Sequence, residues 1–118
     1  MSVFRLTTLV CLLWFGVSAH VFSQSVDLKD ALIIDVRTQA EWQDGHLDKA
    51  ILIPWQDIVI ETDKLQLAKD QPIALYCRSG NRAGKAMALL QAAGYQHVVN
   101  LGSLQDAAEA LQQPIIQP

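Results

Sequence analysis

At 118 residues the chain has room for one small domain around a single hydrophobic core. Hydrophobic residues make up 51% and charged residues 18%, which excludes a disordered tail, and a formal net charge of -3 argues against nucleic-acid binding through bulk charge. Gly and Pro are sparse, and there is no internal repeat or low-complexity tract.

The first element is a leader. Met1 to Arg5 supplies a short positive start, and "LTTLVCLLWFGVSA" (Leu6–Ala19) follows without a charge. Small residues then offer cleavage points after Ala19 or Ser23, the pattern of a secretory signal peptide over residues 1–23. The competing reading is an uncleaved anchor, but Leu6–Phe22 falls at the short end of the roughly 17–25 residues that span a bilayer, and His20 interrupts it. Cys11 lacks the small residue that precedes a lipid-modified cysteine. Removal of the leader leaves Cys77 as the sole cysteine, an odd thiol in an exported chain that has no internal disulfide partner. It also removes Arg5, so the formal charge becomes -4, while Arg78, Arg82 and Lys85 remain close behind the thiol.

The remaining 24–118 reads as one domain. "ALIIDV" (Ala31–Val36) is a short apolar run rich in β-branched residues, as a strand buried on both faces requires. Thr38 followed by Glu41 matches a capping box and Gly45 a stop, which predicts a helix of under two turns. "AILIP" (Ala50–Pro54) reads as a second strand. Trp55 to Lys69 is ambiguous: Ile58 and Leu65 suit a helix, whereas Val59 and Ile60 weaken it. "PIALYC" (Pro72–Cys77) is a third buried strand. Ala83, Ala86, Met87 and Leu90 recur at helical offsets, with Gly94 as the stop. "HVVNL" (His97–Leu101) is a fourth strand. Leu104, Ala107, Ala108 and Leu111 mark a last helix, and Pro114 is expected to end regular structure. Alternating strands and helices imply an α/β domain whose mostly parallel sheet is covered on both faces, with ligands at the carboxyl ends of strands. Cys77 and Asp35 both lie at such ends.

The chemistry concentrates in Cys77-Arg78-Ser79-Gly80-Asn81-Arg82. A thiol is a good nucleophile only as a thiolate, and cations or a helix N-terminus favour that form. Arg78 and Arg82 flank this loop, and a helix begins at its far end, where free N–H groups carry partial positive charge. Gly80 and Asn81 tolerate positive φ, as a loop curling around one atom requires. The expected product is a nest of N–H donors for an anion. The competing readings are a strand-end cysteine acting as a small core hydrophobe and "RSGNR" as a solvated turn.

Together these segments resemble a single-domain rhodanese, a thiosulfate sulfurtransferase, of the small exported type. "IIDVRTQAEWQDGHLDKAILIP" is similar to the family's first signature, "YCRSGNRA" to its active loop, and "GYQHVVNLGSL" to the lead-in to the final helix. Ala83 stands where a serine or threonine often follows the loop, Ser103 where a second glycine is common, and Leu104–Gln113 lacks the family's usual tryptophan. The resemblance implies a three-layer rhodanese-like domain with helices flanking the sheet. It implies that Cys77 takes the outer sulfur of thiosulfate, that sulfite leaves, and that the resulting persulfide passes its sulfur to cyanide or a thiol. Arg78, Ser79, Gly80, Asn81 and Arg82 would bind the donor anion, with no metal or organic cofactor. A cysteine-dependent phosphatase is disfavoured, because only four residues separate Cys77 from Arg82, a shorter loop than that class uses around phosphate.

Other polar residues receive structural readings. Asp35 and Arg37 are expected to anchor neighbouring loops in support of the site. Glu41 is accounted for by its cap, His46 by a turn, and Trp42 and Trp55 by packing over sheet edges. His20 and His97 lack partners at metal-ligand spacing, so no zinc site is expected. Lys85 is read either as a solvated lysine or as a contributor to the positive field at the loop. A monomer in the periplasm, without stable membrane insertion after leader removal and without a nucleic-acid partner, completes the expectation. Two further readings stay open: a module that carries sulfur from a donor protein, and a degenerate binding domain with an unreactive Cys77.

Overall fold

The computed structural model describes residues 26–118; the leader expected over residues 1–23 lies outside them. Four strands form a parallel sheet: β1 (Leu32–Asp35), β3 (Ile51–Leu52), β4 (Ile73–Cys77) and β5 (Val98–Ser103), in the spatial order β3-β1-β4-β5. Every residue of β4 is buried, because it is a central strand with a layer on each face. Alternation divides its side chains between two cores. Ile73, Leu75 and Cys77 join Ile34, Val36 and Ile58 under α3 (Asn81–Ala92), which contributes Ala83, Ala86 and Leu90. On the opposite face Tyr76 and Ile33 pack with Leu104 and Ala107 of α4 (Leu104–Leu111). Each fully buried Leu or Ile in these layers contributes about 1.5–3 kcal/mol relative to exposure.

The first helix, α1 (Gln39–Asp44), opens on the capping box read from the sequence: the Thr38 hydroxyl accepts from Glu41 N at 3.2 Å, and the Thr38 N–H donates to Glu41 Oε1 at 3.4 Å. The ambiguous stretch resolves into a 3-10 turn (Trp55–Asp57) leading into α2 (Ile58–Lys64). Ile58 is buried as the helical reading requires, but Leu65 is exposed, because the helix ends at Lys64 and Gln66 turns to φ +53°. Thr62 takes the inward position instead, satisfying its hydroxyl on Ile58 O at 2.6 Å.

Two expectations need correction. Regular structure does not end at Pro114: β6 (Ile115–Ile116) pairs antiparallel with β2 (His46–Leu47), and Gln117 Nε2 donates to Asp44 O at 3.2 Å. A proline blocks continuation of α4 but leaves the next residues free to pair. His46 is accordingly not a turn residue. It lies in β2, buried, with its ring stacked 3.5 Å from that of Trp42 and Nδ1–H donating to Trp42 O at 3.0 Å. Trp42 thus packs on a residue of the two-stranded sheet formed by β2 and β6. Tyr76 links the two sheets: its hydroxyl accepts from Leu47 N at 3.1 Å, and burial pushes the phenol well above its ordinary range, so it stays protonated.

Candidate active site

Cys77 closes β4 with no exposed surface of its own, and the chain then turns immediately into α3. Gly80 makes this turn possible. It sits at φ +91°, ψ -12° as the N-cap of α3, a conformation that favours glycine, and a Cβ there would come within 3.3 Å of Gly102 Cα. The loop that results wraps the sulfur. Gly80 N–H donates to Cys77 Sγ at 2.9 Å and Ala83 N–H at 3.5 Å. Both donors belong to the start of a helix, whose first turn has N–H groups without intrahelical partners, so the arrangement stabilises negative charge on sulfur. Arg78, Ser79 and Asn81 form the exposed lip of the loop.

The two arginines differ. Arg82 gives both ends of its guanidinium to Glu41, Nη1 to Oε1 at 2.7 Å and Nη2 to Oε2 at 2.9 Å, a bidentate pair that ties α3 to α1. Arg78 is exposed and makes no ion pair or side-chain hydrogen bond among the described residues. The loop thus presents one free guanidinium and one neutralised by a carboxylate. Lys85, also exposed, has Nζ 5.1 Å from the centroid of the Trp55 ring.

Asp35 and Arg37 form a buried pair below the site. Arg37 Nη2 donates to Asp35 Oδ2 at 2.6 Å, and Arg37 Nε and its backbone N–H donate to Oδ1, each at 2.9 Å. Arg37 Nη2 also donates to Gly45 O at 2.7 Å, which links the end of β1 to the end of α1. Beside these residues runs a groove of about 340 Å³, lined by Arg37, Glu41, Asp44, Arg78, Leu104 and Gln105. Among the described residues, no group of three His, Cys, Asp or Glu side chains is placed to hold a metal ion, and no helix is long and apolar enough to cross a membrane.

Three features were not read from the sequence. The Glu41–Arg82 pair joins residues 41 positions apart, and Glu41 had a sufficient local role as a cap. Asn100 donates from Nδ2 to Gly80 O at 2.9 Å. Ser103, which stands where a glycine is common, caps α4 by accepting from Asp106 N at 3.0 Å; the Ser-x-x-Asp spacing carried that signal.

The Arg82 contact holds the Glu41 carboxyl down to about 2, from an ordinary value of 4.5. Because the folded value is the lower one, the pair's contribution to stability is present above pH 4.5 and is lost as pH falls towards 2. For this part-exposed pair it amounts to about 1 kcal/mol. Urea unfolding of Glu41→Gln beside the parent should show that gap at pH 7 and its closure in acid; a gap independent of pH would contradict the assignment.

Comparison with known proteins places these features in a family. The model of the rhodanese-like domain matches residues 18–110. A sulfurtransferase of Allochromatium vinosum is 37% identical over 103 residues, covering 86% of this chain and 92% of that protein. Thiosulfate sulfurtransferase PspE of Escherichia coli is 35% identical over 75 residues, covering 64% of this chain and 72% of that protein. Among solved structures, a rhodanese with anions from E. coli superposes with a TM-score of 0.67 at 31% identity, covering 75% of this chain and 99% of that one. With its parallel sheet, flanking helices and thiol-centred loop, the chain belongs to the rhodanese-like domain family.

Proposed function

We propose that this protein is a sulfurtransferase that moves a sulfane sulfur from thiosulfate, or a similar small anion, through a persulfide on Cys77. The observation that carries the reading is the Gly80 N–H at 2.9 Å from Cys77 Sγ, inside a loop with a free arginine on its lip. The Cys77 thiolate attacks the outer sulfur of thiosulfate, an S–S bond forms to the enzyme, and the S–S bond of the donor breaks as sulfite leaves with the electron pair. Cyanide or a thiolate then attacks the terminal sulfur; the enzyme's S–S bond breaks and the Cys77 thiolate returns. The two steps balance without an outside oxidant or reductant.

The residues divide the work. Gly80 and Ala83 N–H groups stabilise the anionic sulfur before and after loading. Arg78 holds the sulfonate end of the donor and steadies departing sulfite. Arg82, paired to Glu41, fixes the start of α3 and adds little net charge. Asp35 and Arg37 support the loops beneath. The groove beside Arg78 is larger than a small oxyanion needs, which suits the approach of an organic thiol acceptor. The relatives named a sulfurtransferase and a thiosulfate sulfurtransferase support this reading.

Thiocyanate formation from thiosulfate and cyanide tests it. Cys77→Ser should abolish turnover, and Arg78→Ala should raise KM for thiosulfate about tenfold, the loss of a charged hydrogen bond. Absence of turnover in the parent protein would sink the thiosulfate reading and favour a carrier loaded by another protein. We further propose, from the positive start at Arg5 and the uncharged apolar run that follows it, export to the periplasm of a bacterial envelope. Fractionation of cells expressing a C-terminally tagged full chain should recover it there, shortened to begin after Ala19 or Ser23; full-length protein in the cytosol would contradict export.

A further inference from the structure

The sulfur cradle is only as well aimed as the peptide that carries its shorter donor. That donor belongs to the Ser79–Gly80 peptide, in a loop with an exposed lip; the next peptide, through Gly80 O, is held by Gly84 N–H at 2.9 Å and by one side chain outside the loop. Asn100 lies in β5, and its Nδ2 donates to Gly80 O at 2.9 Å while its Oδ1 accepts from Gly102 N at 2.9 Å. Only one orientation of the amide satisfies both contacts, because Gly80 O can only accept and Gly102 N–H can only donate.

The strand is built to bring this amide to the loop. Leu75 pairs with Asn100 and Cys77 with Ser103, so two steps along β4 correspond to three along β5. The extra residue is a bulge, a device that re-aims a side chain out of the regular alternation. Gly102 sits inside it at φ +88°, close against the loop's own glycine. Asn100 therefore has its oxygen fixed within the bulge and its nitrogen fixed on the loop. The Gly80 residue that it holds presents its own N–H to Cys77 Sγ.

We propose that Asn100 is a positioning residue for sulfur transfer, acting through Gly80 to keep that N–H on the sulfur of Cys77. It does not touch the reacting atoms. The proposal rests on the reading of Cys77 as the sulfur carrier, and it extends the site to a strand that carries none of the loop residues.

Two substitutions separate its halves. Asn100→Asp keeps an oxygen for Gly102 N–H and so keeps the bulge, but loses the donor to Gly80 O. Asn100→Leu loses both. In single-turnover reaction of the full chain with thiosulfate, followed by intact mass, the limiting rate of persulfide formation per competent site should fall about tenfold in both variants, as misaimed donors in other sites do. In Asn100→Leu, which adds no charge, the half-saturating thiosulfate concentration should stay within about twofold, because Arg78 is untouched. In Asn100→Asp the added carboxylate also weakens anion binding, so the limiting rate at saturation is the readout there. Alkylation of Cys77 by neutral iodoacetamide at fixed pH should slow in parallel. A merely structural role would reduce the competent fraction and leave the rate per site unchanged; that result in Asn100→Asp would overturn the proposal. A parent protein that forms no persulfide would instead overturn the carrier reading, and the proposal with it.

Discussion

A sulfur atom at the end of a buried strand, 2.9 Å from a backbone N–H, is the contact on which the arrangement around it depends. Burial of that atom needs a central strand covered on both faces, which the parallel sheet provides. The N–H must come from a chain that reverses within a few residues, and the reversal requires a left-handed residue at Gly80. The second donor, from Ala83, requires that a helix begin at once. Sheet, turn and helix are thus three conditions of one electrostatic contact, which is why the loop carries so little side-chain chemistry beyond Cys77 and its arginines.

Charge around the loop is distributed unequally. A bidentate carboxylate neutralises Arg82 and converts it into a strut between α1 and α3. A second buried pair, Asp35 with Arg37, ties the end of β1 to the end of α1 and places no uncompensated charge beneath the site. Arg78 is left as the accessible guanidinium beside the groove. In a generally acidic chain this concentrates anion attraction at the mouth of the loop, with Asp44 as a carboxylate in the wall of the groove.

Much of this was legible in the sequence because the signals are local. The all-buried strand before Cys77 reads from its unbroken apolar run, the α1 cap from Thr38 and Glu41, and the loop from a glycine between two arginines. What escaped is non-local or too short to carry a period. The β2–β6 ladder is two residues long on each side and joins segments some 70 positions apart in the chain. Glu41 had a satisfying local explanation that hid its pairing with Arg82. Asn100 sat in a strand, where an asparagine reads as a weak β-former, and the bulge that redirects it leaves no periodic trace. His46 followed a helix-ending glycine and read as a turn, until pairing with Ile116 and stacking on Trp42 buried it.

The central claim is that Cys77 carries the transferred sulfur, and intact mass spectrometry of the purified protein after brief exposure to thiosulfate tests it most directly. The account predicts the added mass of one sulfur atom, mapped to the peptide containing Cys77, removed by cyanide and absent from Cys77→Ser. An unmodified Cys77 after that exposure, or a sulfur adduct that persists in Cys77→Ser, would contradict it.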